Sequence, residues 1–262
     1  DDFVEKNIPL EEIVKNYDAV LITTGTWRSR VPRLPGADAD GVLTALEYVY
    51  KHRIYELGFS DKKPVTEGKV VVIGGGYSAV DAAEQAIRDR ADEVHLVYRR
   101  TIKYAPAGIY EMERISAMGV EIKELISPLE IITEDNKVKG IKCQRMKLGK
   151  PDRSGRPRPE PIPGSEFIMD ADLVIFATGE LSTPPVSLED KEALQKLGIE
   201  LDKWGCVVVD ERYQSSNPKI FVAGDVVTGP SKIGPAVASG LRAACNLDMF
   251  LRARSNKFIQ SV

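Results

Sequence analysis

Four short segments of this chain are apolar without interruption: Val20-Leu21-Ile22, Val70-Val71-Val72-Ile73, Leu173-Val174-Ile175-Phe176-Ala177 and Ile220-Phe221-Val222-Ala223. A run that does not alternate, rich in β-branched residues and bounded by glycine, predicts a strand buried on both faces, as in a parallel sheet. Between these runs the spacing changes to that of helices. Residues 80–87 and 109–118 predict amphipathic helices, and a further helix is predicted near residues 191–197. Pro235 suits the first turn of a helix running toward Arg252, with apolar residues at Ala236, Leu241, Ala244, Leu247 and Phe250. Residues 129–133 and 138–146 flank Glu134-Asp135-Asn136 and predict a hairpin, and residues 206–209 predict another strand. Residues 150–164 carry Pro151, Pro157, Pro159, Pro161 and Pro163, and read as a surface loop.

The exits of the strands carry the chemistry. Val70–Ile73 run into Gly74-Gly75-Gly76-Tyr77-Ser78-Ala79, the strand–turn–helix order of a dinucleotide-binding fingerprint. Gly74 makes the tight turn, Gly76 lets backbone approach a pyrophosphate, and Ala79 keeps the helix close to the strand. The pyrophosphate would rest on the helix opening at Tyr77 and Ser78. An acidic residue about 20 positions on would bind the ribose of NAD. Here the next strand, Val94 to Tyr98, ends instead in Arg99 and Arg100, two cations suited to a 2′-phosphate. The expected nucleotide is NADP.

Composition narrows the remainder. At 262 residues, with 43% hydrophobic and 29% charged residues, the chain is sized for two globular domains. A net charge of −3 without a basic stripe argues against nucleic acid as a partner. No signal peptide and no membrane-spanning apolar run is visible, so no membrane partner is expected and cytoplasm is the default. Cys143, Cys206 and Cys245 lie far apart and form no CxxC, so the chain builds neither a redox disulfide nor an iron–sulfur or zinc site. No metal ligands cluster, and His52 and His95 are the only histidines. Asp1 is no start methionine, and the pattern begins without an opening strand. The expectation is a fragment, or a processed or separately encoded part of something larger.

Asp18-Ala19-Val20-Leu21-Ile22-Thr23-Thr24-Gly25 and Asp172-Leu173-Val174-Ile175-Phe176-Ala177-Thr178-Gly179 look like two copies of one design. These Thr-Gly exits, the GGGYSAVD and YRR segments, Gly164–Phe167 and the YQSSNPKIFVAGD segment ending at Asp225 resemble the two-dinucleotide-binding-domain flavoprotein reductases. Within them the chain resembles the glutamate synthase small (beta) subunit family, related to NADPH-linked ferredoxin oxidoreductases and the amino-terminal part of dihydropyrimidine dehydrogenase. The resemblance covers residues 17–250. It lacks that family's opening iron–sulfur segment and the GxGxxG of its FAD domain.

The resemblance implies an α/β fold of two Rossmann-like domains, the FAD domain incomplete: residues 1–60 a partial FAD domain and connector, 61–180 the NADP domain, 181–262 the rest of the FAD domain. It implies a hydride passing from NADPH to FAD, with electrons leaving to iron–sulfur centres of another chain or segment that also completes the FAD domain. No catalytic acid or base is needed for that transfer. Lys103 would join Arg99 and Arg100 at the 2′-phosphate, and Thr178 and Gly179 would border the nicotinamide. Asp225 after Gly224 would hold the ribityl chain, although a strand-end Gly-Asp is also an ordinary Asx turn. Backbone N–H groups from Ile233 and Gly234 to Ala236 would face the flavin pyrimidine. Thr24, Gly25 and Thr26 would line the adenine end. Arg28, Arg30 and Arg33 read as solvated loop charge, the second reading being a contact for an acidic electron-carrier protein. A nucleotide-binding structural or sensing subunit without flavin is the alternative function.

Overall fold

The computed structural model describes residues 8–64, 66–152, 155–185 and 191–260. In chain order the elements are α1 (Leu10–Asn16), β1 (Val20–Ile22), β2 (Arg28–Ser29), β3 (Val42–Thr44), α2 (Ala45–Glu56), β4 (Lys69–Gly74), α3 (Tyr77–Arg88), β5 (Glu93–Tyr98), α4 (Ile109–Ala117), β6 (Glu121–Glu124), β7 (Ile126–Glu134), β8 (Lys137–Pro151), β9 (Pro157–Asp170), β10 (Leu173–Ala177), β11 (Glu180–Leu181), α5 (Lys191–Lys196), β12 (Ile220–Val222), α6 (Asp225–Thr228) and α7 (Ile233–Gln260). The chain divides into two compact units: one of residues 1–28 and 180–262, the other of residues 29–179.

The second unit has three layers. Its centre is a five-stranded parallel sheet in the order β3-β10-β4-β5-β6. Because side chains alternate along a strand, Val70 and Val72 of β4 face one way. There they join Ala79, Ala82, Ala83 and Ala86 of α3 and Met112 and Ile115 of α4. Val71 and Ile73 face the other way and meet Ile131, Ile141 and Cys143 of the antiparallel sheet β7-β8-β9. With both faces covered, the apolar run has no reason to alternate. The alanine face of α3 lets that helix lie close against the sheet.

Several sequence expectations change here. The boundary falls at Ser29 and not at residue 61, because Val42–Thr44 pair in parallel with β10 and α2 packs on the same sheet. The proline-rich stretch is not a plain loop, since β8 and β9 run through it as a long hairpin. Pro157, Pro159, Pro161 and Pro163 share one parity, so their missing N–H groups fall on one edge of β9, a strand at the sheet margin, where proline is tolerated. The predicted 134–136 turn forms, with Glu134 opposite Lys137 and Asp135 and Asn136 both at positive φ, 48° and 61°.

In the first unit β1 and β12 pair in parallel, and Ile22, Ile220, Val222 and Val226 form a core with Leu10, Leu194 and Leu197. β1 is not apolar on two buried faces, because Leu21 is 38% exposed. Residues 206–209 make only an isolated bridge, Leu201 to Val207, in place of the predicted strand. α7 starts at Ile233, which puts Pro235 in its first turn as expected.

Candidate functional site

The fingerprint residues of the second unit collect at the carboxyl ends of three neighbouring strands, β10, β4 and β5, where open α/β sheets bind ligands. Gly74, the last residue of β4, lies opposite Ala177 at φ 156°, and a Cβ there would stand 2.3 Å from the Ala177 carbonyl oxygen. A Cβ on Gly75 would enter the Tyr98 ring at 2.5 Å. Tyr98 is itself fixed, its hydroxyl donating to the Tyr104 carbonyl at 2.9 Å, and the Ala107 N–H donates to the Gly75 carbonyl at 3.1 Å. Gly76 differs. It caps α3 in an extended conformation, and a Cβ on it would meet nothing within 4 Å. The turn is therefore walled beneath Gly74 and Gly75 and open above Gly76. Tyr77, 47% exposed, and Ser78 open the helix, while Ala79 is fully buried against the sheet.

Arg99 and Arg100 follow β5, but the structure separates them. Arg99 is exposed, whereas Arg100 is 3% exposed. The Arg100 Nη2 pairs with Asp152 Oδ2 at 2.6 Å, and its Nε donates to the Pro157 carbonyl at 2.7 Å. Both arginines were expected at a phosphate; the geometry spends Arg100 on the hairpin and leaves Arg99 exposed. Although Arg99 reaches solvent, its partial enclosure, and after that the neighbouring Arg100 charge, lower its pKa. A cleft of about 790 Å³ opens beside it, lined by Arg99, Arg100, Lys150, Asp152, Arg158 and Glu160 with two prolines. Lys103 does not line this cleft; it lies on the one-turn helix Ile102–Tyr104 with its Nζ 5.8 Å from the Tyr104 ring centre. Sequence reasoning missed Lys150 and Arg158, because only the fold brings the hairpin beside β5. At the end of β10, the Thr178 hydroxyl donates to the Arg30 carbonyl, and Gly179 at φ 111° has open space on its Cβ side.

The flavin candidates of the first unit fall in two groups. The Thr24 hydroxyl donates to the Thr183 carbonyl, the Thr183 N–H donates to the Gly25 carbonyl at 2.9 Å, and the Trp27 N–H donates to the Thr183 hydroxyl at 2.7 Å. Thr26 lies half-buried between them. At the end of β12, Gly224 turns at φ 77° with nothing within 4 Å of a Cβ, and Asp225 opens α6. The Ser231 hydroxyl donates to Asp225 Oδ1 at 2.6 Å, and the Gly224 N–H donates to the Ser239 hydroxyl at 2.9 Å. At the start of α7 the Ala236 N–H is spent on the Lys232 carbonyl and Pro235 has none. The donors expected from Ile233 to Ala236 therefore narrow to Ile233 and Gly234, both exposed.

Thiol chemistry finds no pair of groups. Cys143 and Cys206 are buried and Cys245 is exposed, all three free, and burial pushes the Cys143 thiol up to about 12. Among the described residues no group of three or more His, Cys, Asp or Glu side chains is placed to hold a metal, and no helix is long and apolar enough to cross a membrane.

Comparison with known proteins bears on the family and the fold. The family model for pyridine nucleotide-disulphide oxidoreductases matches residues 5–240. The chain is 37% identical over 251 residues to the glutamate synthase [NADPH] small chain of Escherichia coli, covering 92% of this chain and 52% of that protein. It is 37% identical over 250 residues to the beta subunit of the NADP(+)-dependent formate dehydrogenase of Moorella thermoacetica, covering 94% and 33%. It thus spans a third to about half the length of these relatives. Among solved structures, Mycobacterium tuberculosis FprA in complex with NADPH is similar with a TM-score of 0.73 at 19% identity, over 97% of this chain and 67% of that one. That likeness is one of fold, two dinucleotide-binding domains. On the family match and these identities, the chain belongs to the pyridine nucleotide-disulphide oxidoreductase family of NAD(P)-dependent flavoprotein oxidoreductases, on the branch that resembles the glutamate synthase small subunit.

Proposed function

We propose that this chain is the NADPH-oxidising, FAD-reducing portion of an electron-transfer oxidoreductase. The observation that carries the reading is the glycine turn at the head of α3, closed beneath Gly74 and Gly75 and open above Gly76, with exposed Arg99 on the adjoining strand end where an NAD site would carry a carboxylate. NADPH supplies a hydride, FAD accepts it, and the protein supplies position and electrostatics. Gly76, Tyr77 and Ser78 receive the pyrophosphate, Arg99 answers the adenosine 2′-phosphate without Lys103, which lies outside its cleft, and Thr178 and Gly179 border the nicotinamide. Residues 29–179 are thus the NADP domain.

In the FAD domain, Asp225, held by Ser231, orients the ribityl chain. The Ile233 and Gly234 N–H groups at the head of α7 meet the flavin pyrimidine, where the helix dipole stabilises the negative charge that reduction creates. Thr24, Gly25 and Thr26 line the adenine end. Among the described residues of the first unit no strand runs through paired glycines into a helix, so the FAD pyrophosphate is held by residues outside this sequence. The same segment or partner chain carries the iron–sulfur centres that take the electrons on.

The test is the visible flavin band of the purified chain. Expressed alone it shows little or none; supplied with a polypeptide carrying a GxGxxG strand–turn–helix, it retains FAD and the band bleaches with NADPH. Near-stoichiometric FAD on the chain alone contradicts the half-site, and a complemented assembly that binds FAD without bleaching contradicts the hydride route.

A further inference from the structure

We propose that Lys150 and Arg158, on the paired strands of the β8–β9 hairpin, are specificity-determining residues that bind a phosphate monoester together with Arg99, and that Arg100 is the positioning residue that docks the hairpin for this purpose. The proposal deepens the NADP reading and rests on it: the monoester is the adenosine 2′-phosphate.

Three observations converge on the cleft at the end of β5. The first is charge. Four cations and two carboxylates line it, a formal surplus of two positive charges. Asp152 is taken by Arg100, so the surplus lies on Arg99, Lys150 and Arg158 against Glu160. A phosphate monoester carries about −1.5 to −2 at neutral pH and complements that surplus. The second is availability. Arg99, Lys150 and Arg158 are exposed, and none makes an ion pair within 4 Å among the described residues. Three cations crowded against the one carboxylate of Glu160 repel one another until an anion enters.

The third is construction. Arg100 is nearly fully buried, and its planar fork spans the junction, one nitrogen on Asp152 of the hairpin and another on the Pro157 carbonyl. Its own carbonyl accepts the Leu125 N–H at 3.2 Å, and the Leu125 carbonyl accepts the Met146 N–H of β8 at 2.7 Å. Two routes therefore tie the end of β5 to the hairpin, one through the Arg100 side chain and one through its backbone. The alternating prolines stiffen β9 at Pro157 and Pro159, on either side of Arg158, by fixing φ. A stiff, bolted strand holds Arg158 where a loose loop would let it swing away into water. An arginine buried at a strand end is otherwise a costly way to end a strand; here it converts the hairpin into the outer wall of the site.

The experiment is calorimetric titration of the full chain with NADP⁺, NAD⁺ and inorganic phosphate, for wild type, Arg99→Gln, Lys150→Gln, Arg158→Gln and Arg100→Lys. Lys150→Gln and Arg158→Gln each weaken NADP⁺ about three- to tenfold, the range for a charge-assisted contact at a partly exposed site. They leave NAD⁺ within about twofold, which also shows that the variants are folded. Arg100→Lys keeps the charge but loses the fork, and lowers the NADP⁺ to NAD⁺ preference while NAD⁺ affinity holds. Inorganic phosphate binding strongly enough to displace NADP⁺ marks a general anion site and overturns the assignment to the 2′-phosphate. Wild-type NADP⁺ affinity in Lys150→Gln and Arg158→Gln, with Arg99→Gln impaired, overturns the role of the hairpin and leaves the NADP reading standing. Equal affinity of the wild type for the two nucleotides overturns both.

Discussion

Three adjacent glycines in this chain do three different things. Gly74 needs its positive φ and has the Ala177 carbonyl against it, Gly75 has the Tyr98 ring against it, and Gly76 has extended backbone and open space. Gly74→Ala and Gly76→Ala should therefore separate fold from function. Gly74→Ala destabilises by about 2–4 kcal/mol through strain and overpacking. Gly76→Ala keeps wild-type stability, read by urea denaturation, yet loses nucleotide affinity by tenfold or more, because the new methyl occupies the approach to the pyrophosphate. Equal nucleotide affinity in wild type and Gly76→Ala would remove Gly76 from the site. The spacing Gly74, Gly76, Ala79 was legible in the sequence, since strand, turn and helix are contiguous. The reason for Gly75 was not, because it lies in Tyr98. Nor was the burial of Arg100, whose partner Asp152 stands 52 residues away.

At the scale of elements, α2 and α3 are joined by a buried polar cluster. The Asp89 carboxylate at the end of α3 accepts from the Tyr48 hydroxyl at 3.0 Å, the Thr66 hydroxyl at 3.0 Å and Gln85 at 3.1 Å, with His52 Nε2 at 3.1 Å. Asp89→Ala strands these donors and should lower stability by about 3 kcal/mol in a urea titration. Burial, the largest influence, lowers the pKa of His52, outweighing the opposing pull of Asp89. The folded chain therefore takes up the His52 proton at lower pH than the unfolded chain, which protonates near 6.5, so the unfolded state binds more protons below that value. Stability contributed by this site is full above pH 6.5 and declines as pH falls below it. Melting temperatures measured between pH 5.5 and 8 should show that decline, and His52→Gln should reduce it; an unchanged pH slope in the variant counts against the assignment.

Strands β4, β10 and β12 and helices α3, α4 and α7 were legible at this scale because their apolar patterns are local, whereas α2, which carries no apolar stripe, was not. The run from residue 150 to 164 was not, since proline argues against a strand wherever the sheet margin that tolerates it is unseen. Residues 42–44 were equally hidden, for three residues carry no period and only their pairing with β10 assigns them to the second unit.

The whole molecule is two units with unequal finish. The second is enclosed on both sheet faces. The first has a two-stranded parallel sheet and leaves Leu21, Ile233, Val237 and Leu241 exposed. The α7 residues among these recur at every fourth position, a stripe along one face of the helix. This asymmetry fits a chain spanning a third to about half of its relatives' length, and in the proposed assembly the flavin and the completing segment cover that stripe. The enclosed unit carries the claim that is testable on this chain as it stands. The central claim is the NADP site, and the most direct measurement is a titration of the wild-type chain with NADPH and NADH, followed by nicotinamide fluorescence. Loss of the 2′-phosphate contacts forfeits at least one charge-assisted bond of about 1.5–3 kcal/mol, so NADPH should bind at least about tenfold more tightly; equal affinities for NADPH and NADH would contradict the account.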